Sequence, residues 1–200
     1  MEKYKHTLIV GEQGVGKSTL IRRLLEALDA PICGYLTRKE DALADSELGS
    51  PIYIYEVGKP QEQTRDNLVG HCKAQKPVVY PEAFDRFAPK LQKLTIDAQD
   101  PNGQELNVQA PDVPDHMRCH GLILLDEIGV METRSGAFCQ AILHLLDGDT
   151  PILAAVKYKD RPFLEQVRQH PKCKCFTITK ENRDDLFEEV LPHLRGQIEP

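Results

Sequence analysis

Eight consecutive residues, Gly11-Glu12-Gln13-Gly14-Val15-Gly16-Lys17-Ser18, fit the pattern G-x-x-x-x-G-K-[ST], that of the Walker A phosphate loop. Each residue type has its own task. Glycines allow backbone conformations closed to other residues, so successive N–H groups can turn inward around phosphate oxygens. A helix opening at Lys17 adds the positive end of its dipole. The Lys17 ammonium suits the β- and γ-phosphates of a nucleotide, and the Ser18 hydroxyl suits Mg²⁺. The predicted phosphate-binding set is therefore Gly11, Glu12, Gln13, Gly14, Val15, Gly16, Lys17, Ser18 and Thr19.

Such a loop needs an acidic partner for the metal, and Gly121-Leu122-Ile123-Leu124-Leu125-Asp126-Glu127 supplies one. An apolar strand ending in two carboxylates would deliver them to the carboxyl edge of a parallel sheet, where ligands bind. Asp126 is the expected Mg²⁺ residue together with Ser18. Glu127 is the expected general base for an attacking water. Asp126-Glu127-Ile128-Gly129 also fits D-x-x-G, which offers the Gly129 amide to a γ-phosphate. Asn182 and Arg183 follow the last predicted strand and are candidates for base or ribose contact; Asn182 could equally cap the last helix, with Asp184 and Asp185 in its first turn. Glu132 is read as serving a helix start capped by Thr133 or Ser135, with a phosphate-side role as the alternative. Arg134 and Arg161 are read as solvated surface charges, the alternative being a lid or finger arginine on the γ-phosphate. Lys157, Lys159 and Arg161 form a cation cluster at a strand end, suited to developing phosphate charge.

The elements that must hold these residues are visible as alternating apolar runs and helical stripes. Strands are predicted at Thr7–Val10, Ile32–Thr37, Ile52–Val57, Leu122–Leu125, Ile152–Val156 and Cys175–Ile178. Their runs lack polar alternation, as expected of a mainly parallel sheet covered on both faces. Stripes at Leu20–Leu28, Ala137–Leu145 and Leu186–Leu194 predict amphipathic helices. A fourth helix starts at Pro81, and a short fifth spans Phe163–Gln169. The sum is an α/β fold with helices flanking the sheet. Residues 95–120 break the pattern. Two short alternating pieces around Pro101-Asn102-Gly103, followed by a proline-containing loop, read as a β-hairpin insertion within a single domain over 1–200.

Composition sets the bounds. With 40% hydrophobic and 28% charged residues in 200, the chain is neither low-complexity nor disordered. No apolar run is long enough for a transmembrane helix, no signal-peptide pattern opens the chain, and a cytoplasmic protein is expected. The net charge of −6 argues against a general nucleic-acid binder. Residues 157–183 nevertheless carry eight basic against three acidic side chains, a local surplus suited to a triphosphate. The six cysteines lack zinc-site spacing and read as free thiols.

These motifs, with their neighbours, resemble the THEP1-type nucleoside-triphosphatases. The resemblance rests on Gly-x-x-Gly-Val-Gly-Lys-Ser-Thr-Leu, on Asp126-Glu127-Ile128-Gly129-x-Met131-Glu132-x-x-Ser135-x-x-Phe138, and on Asn182-Arg183-Asp184. It implies a RecA-like P-loop core and slow, Mg²⁺-dependent hydrolysis of ATP, GTP and other nucleoside triphosphates. Two departures stand out. After Gly34-Tyr35-Leu36-Thr37 the chain leaves the family's register, so only Arg38 can stand in for an arginine of that segment. The 95–120 segment is longer than the family pattern and is a candidate for binding a protein partner. A monomer is expected, with no membrane or nucleic-acid partner. Two other readings are a kinase, for which no Arg-x-x-x-Arg lid string is present, and a GTP-binding adaptor of molybdopterin cofactor assembly, which would lack the D-E-I-G-x-M-E string.

Overall fold

The computed structural model describes residues 4–74, 76–94 and 121–198. Strands β1 (His6–Gly11), β2 (Ile32–Lys39), β3 (Ser50–Glu56), β4 (Leu68–Lys73), β5 (Lys76–Val79), β6 (Leu122–Ile128), β7 (Ile152–Lys157) and β8 (Cys173–Thr177) form one sheet in the order β5-β4-β3-β2-β6-β7-β1-β8. The run β2-β6-β7-β1-β8 is parallel, and β2-β3-β4-β5 is antiparallel. Helices α1 (Lys17–Glu26), α2 (Pro81–Lys93), α3 (Gly136–Asp147), α4 (Pro162–Arg168) and α5 (Leu186–Ile198) complete the described elements. This is the expected α/β architecture. The hairpin insertion expected at 95–120 lies outside the described residues.

Alternate residues of the parallel strands feed two cores. Leu8, Val10, Ile123 and Leu125 face the cluster that includes Phe84 of α2, Phe138 of α3 and Leu164 of α4. Ile9, Leu122 and Leu124 face the other, with Leu20, Ile21 and Leu24 of α1 and Val190 of α5. Burial on both faces is why these strands read as unbroken apolar runs. Leu20, Ile21 and Leu24 are at most 2% exposed, and each stabilises the fold by roughly 2 kcal/mol. Tyr35 ties core to site. Its buried ring meets Phe87 and Phe138 edge-on, while its hydroxyl donates to the Glu127 carbonyl at 3.2 Å.

One local expectation holds and two are refined. Pro81 opens α2 as anticipated. Ser135 rather than Thr133 caps α3, accepting from the Phe138 amide at 3.0 Å, while Thr133 donates to the Val130 carbonyl. Cys33 is disulfide-bonded, which corrects the reading of all six cysteines as free; Cys72, Cys139, Cys173 and Cys175 are free. No described helix is long and apolar enough to cross a membrane.

Candidate active site

The carboxyl ends of β1, β6, β7 and β2 meet at one edge of the sheet. The loop between β1 and α1 crosses it, with Gly14 at φ 77° and Gly16 at φ 111°. Both values lie in the left-handed region that glycine enters freely, and Gly16 immediately precedes the first turn of α1. The loop curls around the Lys17 ammonium, which donates to the Gly11 carbonyl at 3.0 Å and the Glu12 carbonyl at 2.8 Å. Its third partner is Glu127 Oε2 at 3.3 Å, and Lys17 is only 4% exposed.

Strand β7 separates β1 from β6, so the two halves of the site face each other across one intervening strand. The β6–β7 register shifts between Asp126 and Ile128, and the consecutive residues Asp126 and Glu127 both line one cleft. Ser18 Oγ donates to Asp126 Oδ1 at 3.3 Å. Thr37 Oγ1, at the end of β2, donates to the Asp126 backbone carbonyl. Burial, then the neighbouring Glu127 charge, push the Asp126 carboxyl up to about 6, against the pull of Ser18, Lys17 and Arg38. The Ser18 hydroxyl and Asp126 carboxylate are hard oxygen donors within reach of each other, and they fit a small divalent ion that keeps most of its waters.

Glu127 faces a second cation. Lys157 Nζ lies 4.0 Å from Glu127 Oε1 and donates to Gln13 Oε1 at 3.2 Å, which brings one member of the predicted cation cluster into the site. Lys159 pairs with Glu12 at 3.5 Å. Arg161 is exposed at the start of α4, and Arg134 is exposed as well. The basic surplus of 157–183 is therefore split. Lys172 pairs with Asp149 beside the amino end of β1, at the opposite edge of the sheet.

Gln13, Ser18, Asp126, Glu127, Gly129 and Lys157 line a cleft of about 240 Å³, walled on its far side by Ile52, Cys72 and Pro77. That wall, built by β3 to β5, was not foreseen, because β4 and β5 carry no readable alternation. Glu132 is also more than a helix-start residue. It is 4% exposed, and its Oε2 accepts from the Gly129 amide at 2.8 Å. Burial pushes its carboxyl up to about 7. The amide offered to a γ-phosphate is thus held by a carboxylate here.

A neighbouring cleft of about 310 Å³ is lined by Gly16, Thr19, Leu20, Arg23, Arg183 and Asp184. Arg183 belongs to this cleft, beside the phosphate loop. Asn182 does not reach it: Oδ1 accepts from the Thr179 amide at 2.8 Å and Nδ2 donates to the Thr177 carbonyl at 2.9 Å. Its side chain braces the loop, and it is the Asn182 backbone carbonyl that accepts from Leu186 N at the start of α5. Arg38 lines a third opening with Ser18, Thr37 and Asp126, where its Nη1 donates to Gln61.

The raised Asp126 carboxyl has a measurable consequence. Its proton favours the native state, so that contribution is full below about pH 4 and is lost as pH rises through about 6. The loss is on the order of 3 kcal/mol. Buried His6, held down to about 4 by burial, acts in the opposite sense over an overlapping range. A difference between proteins isolates the effect. Asp126→Asn is expected to melt above the wild type without Mg²⁺ and nucleotide, by a margin that widens from pH 4 to 7. A margin independent of pH would show that Asp126 is ionised throughout.

A glycine-bent loop between strand and helix, paired carboxylates two strands away, and a flanked parallel sheet together define the P-loop NTPase class. The relationship is closer than class: a family model described as NTPase matches residues 6–191, and the chain belongs to that family, in which its relatives are THEP1-type nucleoside-triphosphatases. It is 27% identical over 184 residues to the nucleoside-triphosphatase THEP1 of Thermotoga petrophila, covering 92% of this chain and 89% of that protein. It is 26% identical over 209 residues to the cancer-related nucleoside-triphosphatase homolog of Bos taurus, covering 96% and 97%. The fold matches the crystal structure of THEP1 from Aquifex aeolicus with a TM-score of 0.61 at 22% identity, over 94% of this chain and 98% of that one. It also matches the solution structure of a human cancer-related nucleoside triphosphatase, with a TM-score of 0.59 at 24% identity over 96% and 98%.

Proposed function

We propose that the chain hydrolyses the γ-phosphate of nucleoside triphosphates, ATP and GTP among them, with Mg²⁺ and with broad base tolerance. The observation that carries this reading is the convergence of Lys17, Ser18, Asp126 and Glu127 on one cleft, with Lys17 and Glu127 in direct contact. The loop amides and the α1 amino end receive the phosphates. Lys17 leaves Glu127 for the β- and γ-phosphate oxygens, which frees the Glu127 carboxylate to orient and deprotonate water. Ser18 and Asp126 would hold Mg²⁺, which supplies charge neutralisation at the phosphates. Lys157 faces the same cleft and offsets charge developing on the transferring group.

Base tolerance follows from the neighbouring cleft. Its polar side chains are Thr19, Arg23, Arg183 and Asp184, and Asp184 is largely exposed. A guanidinium plane stacks on any base, whereas strict selection needs buried, unshared hydrogen-bonding groups. Phosphate release from a panel of ATP, GTP, CTP and UTP, with Mg²⁺ and with excess chelator, tests the reading. Release is expected from all four within about tenfold of one another, since a missing contact in an open site is worth about a factor of ten, and it is expected to stop with the chelator. Release that persists without a divalent ion would overturn the assigned role of Ser18 and Asp126.

A further inference from the structure

Glu132 is a nearly fully buried carboxylate that takes no part in the proposed hydrolysis. It sits in the short 3₁₀ turn Glu132–Arg134. One of its oxygens accepts the Gly129 amide at 2.8 Å. Gly129 is held between two carboxylates. A Cβ at that position would stand 3.1 Å from Glu127 Oε1 and 3.3 Å from Glu132 Oε2, with Lys157 Cδ next at 3.6 Å. The charged and titratable groups facing Glu132 are Glu127, Lys157, Tyr35 and Cys139.

Gly129, Glu127, Glu132 and Lys157 all line the cleft that also holds Ser18 and Asp126. One amide has a single hydrogen to donate. A phosphate oxygen arriving there competes with the Glu132 carboxylate for it, and two anions cannot share that space without repulsion. The parallel with Lys17 is close: its ammonium is held by the Glu127 carboxylate. In both places a carboxylate stands where a γ-phosphate oxygen would be received.

We propose that Glu132 is a positioning residue that occupies the Gly129 amide in the nucleotide-free protein and yields it to the γ-phosphate, so that the turn after β6 reports triphosphate rather than diphosphate. The proposal rests on the cleft being the triphosphate site. A diphosphate ends one phosphoryl group short and leaves the Glu132–Gly129 bond in place. The bond therefore opposes triphosphate binding selectively, and its removal strengthens that binding alone.

The test is calorimetric affinity of Mg²⁺ complexes of β,γ-imido-ATP and of ADP for the wild type, Glu132→Ala, Glu132→Gln and Lys17→Met. Glu132→Ala is expected to bind the imido analogue about fivefold more tightly, the worth of one hydrogen bond. Its ADP affinity should stay within about twofold, less than such a bond is worth. Glu132→Gln keeps an acceptor without the charge and should shift the analogue in the same direction by less; it decides the matter if the alanine variant does not melt cooperatively. Equal shifts for both nucleotides, or weaker binding of the analogue, would overturn the proposal. If that happens while Lys17→Met loses both nucleotides, the site reading stands and only the role of Glu132 falls. Wild-type affinities in Lys17→Met would remove both.

Discussion

Glu127→Gln is expected to bind MgATP more tightly than the wild type while turning it over about 10²- to 10⁴-fold more slowly, the range for loss of a general base. The two halves of this expectation come from the same contact. Gln has the shape of Glu but cannot take a proton from water, so the chemical step is lost. Gln also cannot form the ion pair at 3.3 Å that engages Lys17. In the wild type, phosphate must draw the buried Lys17 away from a half-buried carboxylate, and breaking that pair has a cost. In the variant only the weaker bonds to the Gly11 and Glu12 carbonyls oppose it. Single-turnover hydrolysis and equilibrium binding, measured separately, check the claim. Unchanged turnover would remove Glu127 as the base, and parallel loss of binding and turnover would make it a structural residue.

Glu127→Asp sharpens the distinction. It keeps the charge but shortens the side chain by one methylene, so the Lys17 ion pair weakens and the carboxylate retreats from water. The ion-pair argument gives it an affinity between those of wild type and Glu127→Gln.

The parts of this site legible in the sequence are those set by local backbone chemistry. Gly14, Gly16 and Lys17 announce themselves because only certain residues can form that loop, and Asp126 and Glu127 because they end an apolar run covered on both faces. Other parts depend on distant packing. Glu132 looked like a helix-start residue because Glu favours first turns; its true partner, the Gly129 amide, is fixed by how the turn after β6 folds back. Asn182 looked free to meet a base until the loop between β8 and α5 closed on it. Strands β4 and β5 escaped notice for a simpler reason. β5 is the sheet edge, where Lys76, Pro77 and Val78 are exposed and no buried face imposes alternation, while the buried residues of β4, Val69 and Gly70, are adjacent rather than alternating. Yet this edge brings Cys72 and Pro77 to the wall of the cleft.

Replacing Lys17 by Met is expected to lower kcat/KM by about 10³-fold or more, as loss of a preorganised charge at the transferring phosphate does. The apolar stem is kept, so the buried path of the side chain stays filled, and only the ammonium is removed. Its loss acts on both carboxylates as well as on the nucleotide. Glu127 is left with Lys157, at 4.0 Å, as its cation. Asp126 loses one of the charges that restrain its carboxyl, so that carboxyl rises further above about 6. Metal binding at Ser18 and Asp126 must then begin from a more protonated site, and the defect should deepen as pH falls from 8 to 6. Because Lys17 and Glu127 share one ion pair, their effects on nucleotide binding cannot add. The double variant Lys17→Met/Glu127→Gln should bind MgATP no more tightly than Lys17→Met, since the affinity that Glu127→Gln gains comes from releasing Lys17 and there is no ammonium left to release. Strict additivity in that cycle would mean that the ion pair is not broken when nucleotide enters.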